Sequence, residues 1–407
     1  MKKVNLREDE YDELREYLEA RASEVKGKEF FGVVFALTRY CNLNCAHCAV
    51  CAPLLKSKNA EHANIFELSY DEVITILDKI HKYSKSKKFP RTIITFGGGE
   101  PTLRPDFKDI IKYSSKLFGS ENINFCTNGT VYNVDDILEL RHYVGNIEIS
   151  IDGFRYYHNK WRDPDKITNV KDPYEKALLL TSEIIRYRDL QRKLEVSSVP
   201  TKENLNLLPK FVLMLDKLGV KNYSIHRCMP VGRMKEHIDL VPSSQDYAKL
   251  IINIWRIKKR SQMYDIHIHH SIESIFSALI LGKDIHLSAL PLSSGRHSIG
   301  IDWNGNLFMD PWGIIKPFDL LKAGNLLDPN VEMWELMESR TSIIKMADDI
   351  TKKRVRCKRC MMDCSGGSRF NAIANYVYKI LRKNRDISIF ELLAGLSQID
   401  PICPLYD

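Results

Sequence analysis

Short apolar or β-branched runs recur along the first half of the chain, separated by stretches whose apolar residues fall at helical spacing. Residues 33–38, 92–96, 123–127, 147–151, 194–199 and 223–228 read as strands. Between them, Val73, Ile76, Leu77 and Ile80 make one helical face, and Phe107, Ile110, Ile111 and Leu117 make another. Leu208, Phe211, Val212, Leu215 and Leu218 make a third, which stops at Gly219 as a helix end should. Strands alternating with helices in this way predict an α/β fold with a parallel sheet and right-handed crossovers. Six such units, rather than eight, predict a partial (β/α)6 parallel barrel.

One connection is too long for a plain turn. About thirty residues separate Thr38 from the helix beginning near Tyr70, and long loops inside compact domains usually carry function. This loop holds Cys41, Cys45, Cys48 and Cys51. It leaves the first strand at its carboxyl end, where parallel α/β folds place their chemistry. After Gly232 the alternation stops. Residues 242–260 read as a helix and residues 261–290 are ambiguous. Residues 298–309, SIGIDWNGNLFM, read as two short strands around the turn Asn304-Gly305. A helix is expected near 331–340. The chain therefore divides into an N-terminal helical extension (1–30), the partial barrel (31–235), a helical linker (236–290) and a small α+β unit (291–407).

Charge excludes some partners. The 407 residues carry 60 Lys plus Arg against 52 Asp plus Glu, a net charge of +8. The positive residues sit in local runs at 82–91, 256–260 and 352–359, without regular aromatic interleaving. That pattern reads as solvated surface, so no nucleic-acid partner is expected. No apolar run approaches the roughly 18 residues a membrane span needs, and the charged amino terminus lacks a signal-like apolar stretch. A cytoplasmic protein without a membrane partner is expected.

Ten cysteines change the picture. In a reducing compartment, grouped cysteines point to metal or catalysis. Cys41-x3-Cys45-x2-Cys48 puts three thiolates on one tight loop, where each can take one iron of a cubane and leave the fourth iron open. A structural zinc ion would want a fourth ligand, which His47 or Cys51 can supply, so zinc remains open at this point. The second group is Cys357, Cys360 and Cys364, closing with Cys403; four thiolates suit one more cluster or a zinc ion.

CNLNCAHC resembles the signature of the radical S-adenosylmethionine (SAM) superfamily, and further motifs occur in the superfamily's order. Gly97-Gly98-Gly99-Glu100-Pro101 is similar to its GGEP element, and Cys126-Thr127-Asn128-Gly129 to its TNG turn. Ser150-Ile151-Asp152-Gly153, then His158-Asn159-Lys160-Trp161-Arg162, resembles SIDG…HD…R, with Asn159 in place of the usual aspartate. Arg227…Pro230-Val231-Gly232-Arg233 is similar to a backbone element that flanks the adenine. The resemblance covers roughly residues 30–235. It implies that Cys41, Cys45 and Cys48 hold a SAM-binding [4Fe-4S] cluster. It also implies that Gly98, Gly99 and Glu100 take the ammonium end of SAM, and that Ser150, Asp152 and Arg162 lie near its ribose and carboxylate.

The carboxyl-terminal cysteines resemble the auxiliary-cluster domains called SPASM and twitch, so the small α+β unit is expected to be of that type. Ser368 stands where a full SPASM domain carries a cysteine. The resemblance and this count imply one auxiliary [4Fe-4S] cluster, on Cys357, Cys360, Cys364 and Cys403.

The implied activity is reductive cleavage of SAM to a 5′-deoxyadenosyl radical that abstracts hydrogen from a substrate. The expected substrate is a peptide or protein undergoing crosslinking, thioether formation or epimerisation. Tetrapyrrole side-chain tailoring and small-molecule oxidation are the alternatives within the same chemistry; a noncatalytic zinc-stapled binding protein is the alternative outside it. An external one-electron donor such as flavodoxin or ferredoxin is implied. Cys228, at the expected carboxyl end of the sixth strand, is the candidate hydrogen-atom donor, with Cys51 and Cys126 as rivals. Packing is the competing role for Cys228, because free cysteine is among the most buried residue types.

Overall fold

The computed structural model describes residues 8–25, 30–55, 67–163, 168–268, 298–308, 310–315, 319 and 322–339. The chain runs α1 (Glu8–Val25), β1 (Phe31–Thr38), α2 (Tyr70–Ser86), β2 (Thr92–Gly98), α3 (Phe107–Phe118), β3 (Ile123–Thr127) and α4 (Val134–Leu140). It continues through β4 (Asn146–Ser150), α5 (Arg155–Arg162), α6 (Pro173–Ile184), α7 (Arg188–Lys193), β5 (Leu194–Ser198), α8 (Leu208–Leu218) and β6 (Asn222–Ile225). Then come α9 (Ser244–Lys258), β7 (Asp265–Ile268), β8 (Ser298–Ile301), β9 (Asn306–Phe308) and β10 (Lys322–Asn325).

Strands β1 to β6 lie side by side in chain order, each parallel to the next, as the alternating pattern predicts. Side chains alternate across a strand, so each strand has an apolar face and an inner face. Val33 and Phe35, Ile94 and Phe96, Ile147 and Ile149 point outward and are fully buried under helices. The helices answer with the stripes read from the sequence: Val73, Ile76, Leu77 and Ile80 of α2, and Phe211, Val212 and Leu215 of α8, are all at 0% exposure. Gly219 ends α8 at φ +107, a left-handed conformation that a side chain would resist.

Two features depart from the sequence expectation. Residues 265–268 form a seventh parallel strand, paired with β6, inside the segment expected to be a helical linker. Its four residues, DIHI, are too short and too polar to declare themselves by periodicity. The hairpin around Asn304-Gly305 forms as expected, with Asp302 accepting from the amides of Asn304 and Asn306 and Gly305 at φ +76. Yet β8 pairs in parallel with β1, so among the described residues the hairpin and β10 extend the core sheet to ten strands in the order β10-β9-β8-β1-β2-β3-β4-β5-β6-β7. Pairing satisfies an edge of β1 that would otherwise leave amides and carbonyls unpartnered. Among the described residues, no helix is long and apolar enough to cross a membrane.

Candidate functional site

The carboxyl ends of β1 to β4 gather the motif residues. The cysteine loop leaves β1 and is tied down at once: Cys41 N donates to Pro53 O at 3.1 Å, and Leu55 N donates to Cys41 O at 2.8 Å. Cys41 and Cys45 are buried, Cys48 is half-buried and Cys51 is exposed. Two donors already face the Cys41 sulfur, Leu43 N at 3.4 Å and Asn128 Nδ2 at 3.7 Å. Burial pushes the Cys41 and Cys45 thiols up, Cys45 to about 12. Among the described residues, no three His, Cys, Asp or Glu side chains close on a single metal ion. Two buried thiols and a half-buried third, with N–H donors aimed at one sulfur, are the donor set that an iron–sulfur cluster uses. The residues present fit that group.

The glycine turn after β2 lies directly against this loop. Gly99 N donates to Thr38 O at 2.7 Å and Glu100 N to Tyr40 O at 2.8 Å. A Cβ on Gly98 would sit 2.2 Å from Thr38 O, and one on Gly99 1.9 Å from Tyr40 O. Only glycine lets the two backbones approach this closely. Glu100 is 1% exposed, and both its oxygens are engaged. Oε1 accepts from Thr102 Oγ1 at 2.5 Å and Thr127 Oγ1 at 2.8 Å, and Oε2 from Asn128 N at 2.7 Å. Burial pushes this carboxyl up in spite of those bonds. Glu100 therefore also locks the TNG turn, whose Asn128 donates to Asn42 Oδ1 at 2.8 Å and so reaches back to the cysteine loop.

Asp152 is the hub of the next layer. At 0% exposure it accepts from Arg162 Nε at 2.7 Å through Oδ2 and from Val199 N at 3.0 Å through Oδ1. His47 Nε2 lies 3.4 Å from Oδ2, and Asp152 N donates to His158 Nδ1 at 3.2 Å. Burial opposes the charge, but the Arg162 guanidinium overrides it and holds the Asp152 carboxyl well below the usual range. Burial holds His47 down to about 4 and His158 to about 3, so both rings stay neutral. His47, placed between two cysteines, is thus a neighbour of Asp152. Ser150 ends β4 in register with Ser197 on β5 and is half-buried.

The inner wall carries residues that periodicity did not single out. Cys126, Glu148 and Glu195 pair across β3, β4 and β5. Cys126 Sγ donates to Glu148 Oε2 at 3.4 Å, and His226 Nε2 bonds Glu148 Oε1 at 2.9 Å. Closed barrels fill such positions with Val, Ile and Leu; here they are ionisable. Burial works against a charged His226, but the Glu148 carboxylate prevails and pushes the imidazole up to about 9. The pair's contribution to stability is therefore complete between the ordinary carboxylate range and the ordinary histidine value near 6.5, and is lost as pH rises through about 9 or falls through about 2. Glu148→Gln removes the opposing charge. Its His226 resonances, followed by NMR titration, should move to a midpoint below 6.5; an unchanged midpoint would contradict the pairing.

Cys228 lies beyond the end of β6, because the strand stops at Ile225 rather than at residue 228. It is 1% exposed and packs with Ala46, Tyr157, Trp161 and Met234, behind the cysteine loop. Burial pushes its thiol up to about 12. These surroundings favour packing, and of the rivals Cys126 is the one on the inner wall. Cys357, Cys360, Cys364, Ser368 and Cys403 lie outside the described residues.

The Radical SAM superfamily profile matches residues 35–189. An AdoMet-dependent heme synthase of Methanosarcina barkeri is 25% identical over 232 residues, 57% of this chain and 59% of that protein, so the chain spans less than two thirds of it. An Fe-coproporphyrin III synthase of the same organism is 25% identical over 374 residues, 84% of each chain. Among solved structures, anSMEcpe with bound AdoMet and Cp18Cys peptide shares the fold at a TM-score of 0.60 and 17% identity, covering 92% of this chain and 94% of that one.

Proposed function

Because this chain belongs to the radical SAM superfamily through residues 35–189, we propose that it cleaves SAM reductively and abstracts hydrogen from a peptide undergoing maturation. The observation that carries this reading is the loop after β1, with Cys41 and Cys45 buried, Cys48 beside them and two N–H donors on the Cys41 sulfur. Cys41, Cys45 and Cys48 would hold the SAM-binding [4Fe-4S] cluster, and Cys357, Cys360, Cys364 and Cys403 the auxiliary one. Bound together, cofactor and cluster supply one-electron chemistry that no side chain offers.

The chain's own residues supply binding and orientation. The Gly98-Gly99 turn presents backbone groups beside Glu100, whose carboxylate suits an ammonium. Arg162 spends its Nε on Asp152, and among the described residues its other nitrogens carry no hydrogen bond, which leaves that end of the fork for the methionine carboxylate. Ser150 would lie by the ribose. An external low-potential donor, flavodoxin or ferredoxin, would deliver the electron, in the cytoplasm.

The peptide reading is supported by the shared fold with a peptide-bound protein. The tetrapyrrole reading has its own observation, a relative matched over 84% of both chains whose name specifies Fe-coproporphyrin III. Anaerobically reconstituted, dithionite-reduced protein should be offered SAM with either short peptides encoded beside its gene or an iron porphyrin bearing propionates. We expect a mass change in a peptide and deoxyadenosine formation stimulated by it. Stimulation and side-chain change in the porphyrin alone would replace the peptide reading with the tetrapyrrole one.

A further inference from the structure

Arg233 reaches across the barrel mouth to the cysteine loop, 188 residues away in sequence from Cys45. Its backbone N donates to Cys48 O at 3.0 Å. Its Nε donates to Cys45 O at 2.7 Å and its Nη1 to Ala52 O at 3.1 Å. Gly232, just before it, stands at φ +59, where a Cβ would lie 2.3 Å from Cys48 O and 2.4 Å from Ala49 O. The two backbones therefore touch, and one side chain bonds carbonyls on both sides of Cys48. The fourth nitrogen, Nη2, is buried and among the described residues has no hydrogen-bond partner. A buried donor left unmade costs about 1–3 kcal/mol, more for a charged group, and native proteins rarely keep one without a use.

We propose that Arg233 is a positioning residue for the cluster: its planar fork fixes the Cys45–Ala52 segment, and its Nη2 is kept for the anionic group that the loop holds. The proposal rests on the reading that Cys41, Cys45 and Cys48 carry a cluster. Three properties of the site require arginine. The carbonyls of Cys45 and Ala52 need donors from different edges of one rigid group, which an ammonium on a flexible stem does not offer. A loop whose Cys51 sits at φ +52 does not hold its shape by local preference. A cation beside the thiolates also eases addition of an electron, because net charge and hydrogen bonds to sulfur set cluster potentials.

The test uses the whole reconstituted protein and needs no substrate. The cluster at this loop is identified as the one whose paramagnetic resonance signal changes when SAM is added. Arg233→Met keeps the reach but removes charge and donors; Arg233→Lys keeps the charge but not the fork. Arg233→Met should release this cluster's iron to a chelator about tenfold faster, the scale of outer-ligand losses, and shift its midpoint potential to more negative values. Arg233→Lys should keep a potential near that of the wild type while still losing iron faster, so it decides the matter even if Arg233→Met fails to fold. Iron retention and potentials equal to the wild type in both variants, or in Arg233→Lys alone if Arg233→Met does not fold, would overturn the proposal. A wild-type protein with no SAM-responsive cluster would instead overturn the reading beneath it.

Discussion

Replacing Cys41, Cys45 and Cys48 together by alanine is expected to lower iron from about eight to about four per chain, the difference of one cubane. It should also bring production of 5′-deoxyadenosine down to background. The fold should survive, because what ties the loop down is mostly backbone: Cys41 N to Pro53 O, Leu55 N to Cys41 O and Ala46 N to Trp161 O at 2.8 Å. Loss of the burial-raised thiols touches only the small cluster of Cys41, Leu43, Cys45 and Ala52, separate from the main apolar core. The complementary variant, alanine at Cys357, Cys360 and Cys364, should also keep about four irons but retain cleavage of SAM while losing turnover of substrate. Iron, sulfide and deoxyadenosine assays separate the two. Unchanged iron in the first variant would remove the loop from the account.

Arg162→Ala should be the most destabilising single change near the site. It leaves the Asp152 carboxylate, at 0% exposure, without the guanidinium that lies 2.7 Å away. Breaking a buried pair by removing one partner costs about 3–5 kcal/mol, because the orphaned charge stays buried. Asp152 is depressed by this pairing, so the stabilisation is complete above the ordinary carboxylate range and is lost only as pH falls into strong acid. Pairing Arg162→Met with Asp152→Asn should recover much of the loss in thermal unfolding. Affinity for SAM should not recover in the double variant, since the free end of the fork is gone. Recovery of both would reduce Arg162 to a structural role.

Much of this was legible in the sequence, for physical reasons. β1 to β6 announced themselves because their outward residues are buried under helices and their inner residues are not, which imposes a period of two. The cysteine loop stood out by its length and spacing, and the glycines at 98 and 99 because close backbone approach excludes other residues. What escaped depends on distance in the sequence. Glu148 and His226 are 78 residues apart and look like ordinary solvated positions until the strands are paired. The grip of Arg233 on Cys45 has no local signature. β7 is too short for periodicity to detect, and Cys228 was expected at a strand end that falls three residues earlier.

The central claim is that the Cys41–Cys48 loop is a centre for reductive cleavage of SAM. The direct measurement is anaerobic: protein reconstituted with iron and sulfide is reduced with dithionite in the presence of SAM, and methionine and 5′-deoxyadenosine are quantified. The account predicts both products in equal amounts, from protein that carries acid-labile sulfide. Protein that binds zinc, holds no sulfide and leaves SAM intact would contradict it.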